Sequence, residues 1–229
     1  MMDSQRQALK RVAQDVAKSI GVGATLGLGS GSTVAAFIEE LAPLLIAKSK
    51  KVVGVPTSTQ IEMVASKNGL PLVPFRGGVD LVLDGADQVD EGLNLIKGGG
   101  GALLREKVVM SSAKAVDIVA SESKFVRRLC EKGVKVPVEV VPIARESAKV
   151  GISKLGGVAD ERLLPKGYPY FTENGNIIMD AMFEPLDRPA ELESKLKSVP
   201  GVAEVGIFTV KPIKVYRLGE GGSYEALQA

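Results

Sequence analysis

The chain has 229 residues, 45% hydrophobic and 24% charged, enough to bury a core in one large domain or two modest ones. Its 29 Lys+Arg nearly balance 27 Asp+Glu and only 4% of residues are aromatic, with no segment concentrating positive charge, which excludes a dedicated nucleic-acid surface. There is no histidine, so imidazole bases, Ser-His triads and histidine-held metals are excluded, and proton transfer near neutral pH falls to carboxylates and lysines.

The opening MMDSQRQALKRVAQD has no apolar signal core and carries acids early, so export is not expected, and no apolar run reaches the roughly 18 residues of a membrane span. A lone cysteine, Cys130, rules out an internal disulfide framework. Leu9, Val12, Ala13, Val16 and Ile20 fall on one helical face, predicting an amphipathic helix over 4–20 that Gly21 and Gly23 end. Residues 24–29 read as a short buried strand running into Ser30, Gly31, Ser32 and Thr33, after which VAAFIEEL resumes helical spacing. Such a turn offers backbone N–H groups and hydroxyls at a positive dipole end, which suits a phosphate monoester; a purely structural turn is the competing reading. GLGSGS is not a dinucleotide fingerprint: position 32 is serine where glycine is needed, and the strand over 51–55 ends without an acidic residue. Nor is there the Gly-Lys-Ser/Thr of a P-loop.

Thr57, Ser58 and Thr59 read as helix caps before QIEMVASKN, with Gly69 closing that helix. Further strands are predicted over 71–74, 80–84 and 115–120, and this strand-helix alternation argues for a parallel, doubly wound sheet. Beyond about residue 130 the rhythm changes to a strand over 136–141, a helix over 144–155, a hairpin of 168–172 and 177–182 across Asn174-Gly175, a helix over 189–199 and a strand over 203–210. The order β-α-β-β-α-β is the ferredoxin-like unit. The predicted fold class is therefore α/β: a doubly wound, mostly parallel Rossmann-like sheet over 1–130 and 208–229, rejoined by a strand over 214–218, with a smaller inserted α+β ferredoxin-like domain over 131–207.

The chemistry concentrates in DLVLDGADQVDEGLNLIKGGGGALLREKVV, residues 80–109. An apolar strand (Leu81, Val82, Leu83) delivers Asp84 and Asp87; Lys97 follows, then Gly98, Gly99, Gly100 and Gly101, then a helical run carrying Arg105, Glu106 and Lys107 early. Ligands of open α/β sheets bind beyond the carboxyl ends of strands and at helix N-termini, so acid, base and anion-binding groups are expected to converge here. Consecutive glycines before a helix start let the backbone come close to a ligand, which a merely flexible loop would not require. From the residues alone, Asp84 and Asp87 also read as caps of a strand-end turn, and Glu106 as a solvated glutamate between Arg105 and Lys107.

DGADQVD and then KGGGGALLREK, preceded by GLGSGST and followed by SESK, resembles ribose-5-phosphate isomerase of type A, and the resemblance continues through PVEVVP, KLGG and ENGN to the final strand. It implies an enzyme needing no metal or cofactor that interconverts ribose 5-phosphate and ribulose 5-phosphate in the non-oxidative pentose phosphate pathway, moving a proton between C1 and C2 through an enediolate. The family's base matches Glu106, which should be shielded from water to serve. Its ring-opening acid and base match Asp84 and Lys97, the lysine also stabilising the enediolate oxygen, and Asp87 orients Lys97 or the sugar hydroxyls. The resemblance sets the sugar against Asp84, Gly85, Ala86, Asp87, Lys97, Gly98, Gly99 and Gly100, and the phosphate at Ser30, Gly31, Ser32 and Thr33. Lys124 of SESK adds charge, as does Lys10, which reads equally as a surface lysine.

Three positions depart from the family pattern. Ser30 stands where threonine is common and keeps the hydroxyl; Ser121 replaces an aspartate ahead of Lys124; Gly101 lies in a loop whose glycines vary. Members are homodimers or homotetramers, so an oligomer is expected, in the cytoplasm and without nucleic-acid or membrane partners. A plastid enzyme stripped of its transit peptide would read the same. Two other readings compete: a non-catalytic sugar-phosphate sensor, which would not need Glu106 with Lys97, and a lactonase or amino-sugar deaminase, reactions that commonly rely on histidine.

Overall fold

The structure, a computed structural model, describes residues 3–210 and 213–228. In chain order its elements are α1 (Asp3–Ser19), β1 (Thr25–Leu28), α2 (Ser32–Ala47), β2 (Val53–Pro56), α3 (Thr59–Lys67), β3 (Val79–Gly85), β4 (Gln88–Val89), β5 (Leu95–Ile96), α4 (Leu103–Ser111) and β6 (Ala113–Ser121). There follow β7 (Val136–Val140), α5 (Arg145–Lys154), β8 (Val158–Glu161), β9 (Ile177–Met182), α6 (Pro189–Lys197), β10 (Val202–Val205), β11 (Ile207–Phe208), β12 (Lys214–Leu218) and β13 (Tyr224–Gln228). Two compact units result: Met1–Ala86, Arg105–Lys124 and Val210–Ala229 form the first, Asp87–Leu104 and Phe125–Thr209 the second.

The first unit carries a six-stranded sheet ordered β13-β12-β6-β3-β1-β2, parallel throughout except for the edge strand β13. Leu9, Val12, Ala13 and Val16 of α1 and Phe37, Ile38, Leu41 and Leu45 of α2 are buried with Leu26, Leu28 and Leu83 of the sheet. Their three- and four-residue spacing returns each side chain to one helix face, and full burial of a leucine or valine contributes roughly 1.5–3 kcal/mol. Between Leu26 and Leu28 the strand presents Gly27 to its other face, where a Cβ would lie 2.7 Å from Val109 Cγ1. A side chain there would push α4 off the sheet. No helix among the described residues is long and apolar enough to cross a membrane.

The second unit holds a four-stranded antiparallel sheet ordered β10-β7-β9-β8, and the succession β7-α5-β8-β9-α6-β10 is the β-α-β-β-α-β order expected from the sequence. Val136, Val138, Val140, Ile177, Met179 and Val205 pack with Ala148 and Ile152 of α5 and Leu196 of α6. A second, three-stranded sheet, β11-β5-β4, draws Asp87–Leu104 into this unit, although that segment follows β3 directly in the chain.

Three strand boundaries differ from the sequence reading. The strand expected over 203–210 is split at Gly206, which donates its N–H to Pro137 O at 2.7 Å and accepts the N–H of Lys97 at 2.9 Å, so the chain changes sheets there. The place of the hairpin partner expected at 168–172 is taken by β8, while 168–172 makes isolated bridges of Pro169 to Leu163 and Phe171 to Ile177. Its acidic VADE sequence conceals it: Ala159 alone is fully buried, while Val158 and Asp160 face solvent. The segment 71–74 contributes one bridge, Leu72 to Gly54, because the prolines at both ends withhold ladder N–H groups.

The turn before β9 hangs on a buried carboxylate. Glu139 Oε1, in a fully buried residue of β7, accepts Thr172 Oγ1 at 2.9 Å, Asn174 Nδ2 at 3.0 Å and Asn176 Nδ2 at 2.9 Å. Glu139→Leu removes the shared acceptor of all three donors and should cost on the order of 3 kcal/mol, read by urea unfolding. Amide exchange over 172–176 should accelerate ahead of global unfolding; unchanged protection there would refute the anchor.

Candidate active site

In a parallel sheet the carboxyl ends of the strands gather at one edge, and in the first unit β1, β2 and β3 lead there to Gly29 and Ser30, to Thr57 and Ser58, and to Asp84 and Gly85. Gly31 caps α2 with φ 104° and ψ 170°, a conformation glycine adopts without a Cβ penalty, and brings no side chain to the first-turn N–H groups. That end of the helix is suited to an anion. The turn is fixed from outside. Ser30 Oγ donates to Ser58 Oγ at 2.7 Å and lies 2.9 Å from Thr57 Oγ1, and Gly31 N–H donates to Gln60 Oε1 at 3.0 Å. Ser58 also caps α3 by accepting Ile61 N–H at 3.3 Å.

Glu106 reaches the same turn from α4, where its Oε1 accepts Ser30 N–H at 3.2 Å. It is 4% exposed, because it shares the inward face of α4 with Leu103, Val109 and Met110 at three- and four-residue spacing. The solvated glutamate considered from the sequence is therefore not what forms. Asp84 is 2% exposed, with Oδ1 accepting Gly85 N–H at 2.7 Å, and it fills the space beside Gly29, where a Cβ would lie 2.0 Å from its Cγ. Thr33 stands close by: a Cβ on Gly85 would meet its Cβ at 3.8 Å. Ser32 is exposed at the head of α2, and Ala86 is half-buried after β3.

Lys124 and Lys10 are both exposed, the former on a short 3-10 turn after β6 and the latter midway along α1. Among the described residues no hydrogen bond ties either to the Ser30 group.

In the second unit Lys97 follows β5 and is 3% exposed, its Nζ 5.6 Å from the centroid of the Phe208 ring. Asp87 accepts Gly99 N–H on Oδ2 at 2.8 Å, and its own N–H donates to Ile96 O at 2.8 Å. Gly98 and Gly101 take φ values of 103° and 80°, which side chains resist, while Gly99 and Gly100 are exposed. From the sequence Thr57 and Ser58 read as caps alone, and Gln60, Arg162 and Tyr170 carry no signal of a site. Thr57, Ser58 and Gln60 pack around the Ser30 turn, and Arg162 and Tyr170 donate to the carbonyls of the glycine loop. A run of hydroxyls closing the second parallel strand was the available signal for the first group; the second has no local one.

A family model described as ribose 5-phosphate isomerase A (phosphoriboisomerase A) matches residues 53–222. The chain is 46% identical over 199 residues to ribose-5-phosphate isomerase A of Korarchaeum cryptofilum, covering 86% of this chain and 87% of that relative. It is 41% identical over 201 residues to that of Methanothermobacter thermautotrophicus, covering 87% and 88%. Among solved structures, ribose 5-phosphate isomerase A from Methanocaldococcus jannaschii superposes with a TM-score of 0.90 at 38% identity, over 97% of this chain and 98% of the other. A D-ribose-5-phosphate isomerase in complex with phospho-erythronic acid superposes with a TM-score of 0.89 at 34% identity, over the whole of both chains.

Proposed function

This chain belongs to the ribose 5-phosphate isomerase A family, and from that premise we propose that it is an aldose-ketose isomerase of D-ribose 5-phosphate and D-ribulose 5-phosphate with Glu106 as its base. The observation that carries the assignment of Glu106 is its buried carboxylate hydrogen-bonded to the Ser30 N–H of the anion-ready turn. In this reading the phosphate is held at the turn of Ser30, Gly31, Ser32 and Thr33, and C1 and C2 of the pentose are set against Glu106. Glu106 takes the proton from C2 of the open-chain aldose; the C–H pair forms the C1–C2 double bond, and the carbonyl pair moves onto O1. The carboxylic acid then returns the proton to C1 while the O2 proton passes to O1, leaving a C1 hydroxyl and the C2 ketone.

The Lys97 ammonium offsets the charge that develops on the enediolate oxygen, in a residue shielded enough from water for that attraction to count. Asp84 serves with Lys97 in opening the furanose ring, and Asp87 holds the glycine loop through Gly99 N–H. Gly85, Ala86, Gly98, Gly99 and Gly100 line the sugar, and Lys124 and Lys10 add charge toward the phosphate. A homodimer or homotetramer in the cytoplasm belongs to the same reading, checked by sedimentation equilibrium and cell fractionation.

The deciding experiment is proton NMR of ribose 5-phosphate with the protein in deuterated buffer containing a chelator. Ribulose 5-phosphate carrying deuterium at C1 is the expected product. No conversion would overturn the activity, and conversion without deuterium would overturn transfer by a base in exchange with solvent.

A further inference from the structure

The four glycines at 98–101 have no side chains to fix their own peptide planes, so whatever orients this loop must come from elsewhere in the second unit. It comes from the segment after β8. Arg162 Nη1 donates to Gly98 O at 3.0 Å and to Gly99 O at 2.9 Å, and Tyr170 Oη donates to Gly100 O at 3.0 Å. Three successive carbonyls are thus held by two side chains more than sixty positions away along the chain. The guanidinium is itself clamped: Nε donates to Asp180 Oδ2 at 2.8 Å and Nη2 to Oδ1 at 2.5 Å, a two-pronged pair on β9. Its central carbon lies 5.8 Å from the centroid of the Tyr170 ring. Arg162 N–H donates to Ile178 O at 2.8 Å and Tyr170 N–H to Arg162 O at 3.0 Å, so both donors stand on anchored backbone.

The consequence follows from the planarity of the peptide bond, which sets N–H opposite to C=O. Arg162 holds the carbonyl end of the Gly98–Gly99 peptide, and the N–H at its other end donates to Asp87 Oδ2 at 2.8 Å. The next peptide is held by the same guanidinium at Gly99 O, which directs Gly100 N–H away from Arg162. Gly101 closes the loop by donating to Gly98 O at 2.9 Å, and a Cβ on it would lie 2.2 Å from Tyr170 Oη, so the tyrosine occupies the space beside it.

We propose that Arg162, braced by Asp180 and seconded by Tyr170, is a positioning residue of the isomerase: it sets the peptide planes that hold Asp87 and aim the glycine-loop N–H groups. The inference rests on the reading that Asp87, Lys97 and the loop meet the sugar, and it extends that reading to residues that do not touch it. Because the phosphate is assigned to the 30–33 turn, losing the guanidinium disturbs the reacting end of the sugar and spares affinity.

The test is steady-state isomerisation by the full chain carrying Arg162→Ala, Arg162→Lys, Tyr170→Phe or Lys97→Met, with thermal unfolding of each as a control. Arg162→Ala should lose about tenfold to a hundredfold in kcat while KM for ribose 5-phosphate moves by less than about threefold. Arg162→Lys should recover little, because one ammonium cannot fork onto Asp180 and span two carbonyls. Ethylguanidinium should restore part of kcat to Arg162→Ala and leave the unsubstituted enzyme unchanged, a response that a merely structural arginine would not give. A folded Arg162→Ala with kcat near that of the unsubstituted enzyme overturns the proposal, as does a loss that ethylguanidinium leaves untouched. If Arg162→Ala does not fold, Tyr170→Phe decides: a fall in kcat at constant KM supports the proposal and unaltered kcat overturns it. Lys97→Met separates the two levels: full activity there defeats the assignment of the loop to the sugar, whereas its loss beside active Arg162 variants defeats the positioning role alone.

Discussion

Replacing Glu106 with Gln should lower kcat by about 10²–10⁴-fold, the range that a positioned general base contributes, while leaving the fold and the affinity for ribose 5-phosphate nearly intact. The substitution is close to isosteric. The amide oxygen can still accept Ser30 N–H, now at 3.2 Å to the carboxylate, so the turn keeps its support from α4. What disappears is the capacity to take a proton from carbon. Because Glu106 is buried on the same face as Leu103, Val109 and Met110, an amide of the same size avoids the cavity that alanine would leave. The measurement pairs steady-state kinetics with calorimetric binding of ribose 5-phosphate. Binding retained with turnover lost is the expected pattern; turnover retained would place the base elsewhere.

Gly29→Ala should be nearly as damaging, for a steric reason. A Cβ at position 29 would lie 2.0 Å from both Cγ and Oδ1 of Asp84 and 2.5 Å from Oδ2, closer than nonbonded atoms approach. Gly29 cannot retreat, because its N–H donates to Leu83 O at 2.9 Å. The Asp84 carboxylate must therefore leave its place and give up its bond to Gly85 N–H. A loss of about 10²-fold in kcat is expected from such a displacement, with a stability cost of about 1–3 kcal/mol from overpacking. Kinetics with thermal unfolding will separate the two; activity preserved in a folded variant would show that Asp84 need not sit where it does.

The regular elements of the first unit were legible because each is a local pattern. The stripe of Leu9, Val12, Ala13 and Val16 and the alternation of strands with helices predict α1 and the parallel sheet, and the return of 214–218 to it matches β12 residue for residue. The burial of Glu106 could also have been read, since its spacing to Leu103, Val109 and Met110 places it on an apolar stripe; its flanking Arg105 and Lys107 masked that signal. β8 escaped because an edge strand with charged outward positions lacks apolar alternation. β13 escaped for the same reason: as the outermost strand on β12 it buries too little to leave a pattern.

The sequence by itself determined the fold class, the order of the motifs and hence the family, because helical and strand periodicities, caps and glycine turns are set by neighbours a few residues apart. Only the tertiary structure decided that Ser30 is braced by Thr57 and Ser58 across 27 and 28 positions, that Glu106 meets Ser30 across 76, and that Arg162 grips the glycine loop across 64 and 63. It likewise decided that Asp87–Leu104 joins the second unit through β4, β5 and β11. These are hydrogen bonds and strand pairings between residues whose proximity no local period encodes; they exist only once burial of the two cores has brought distant segments together.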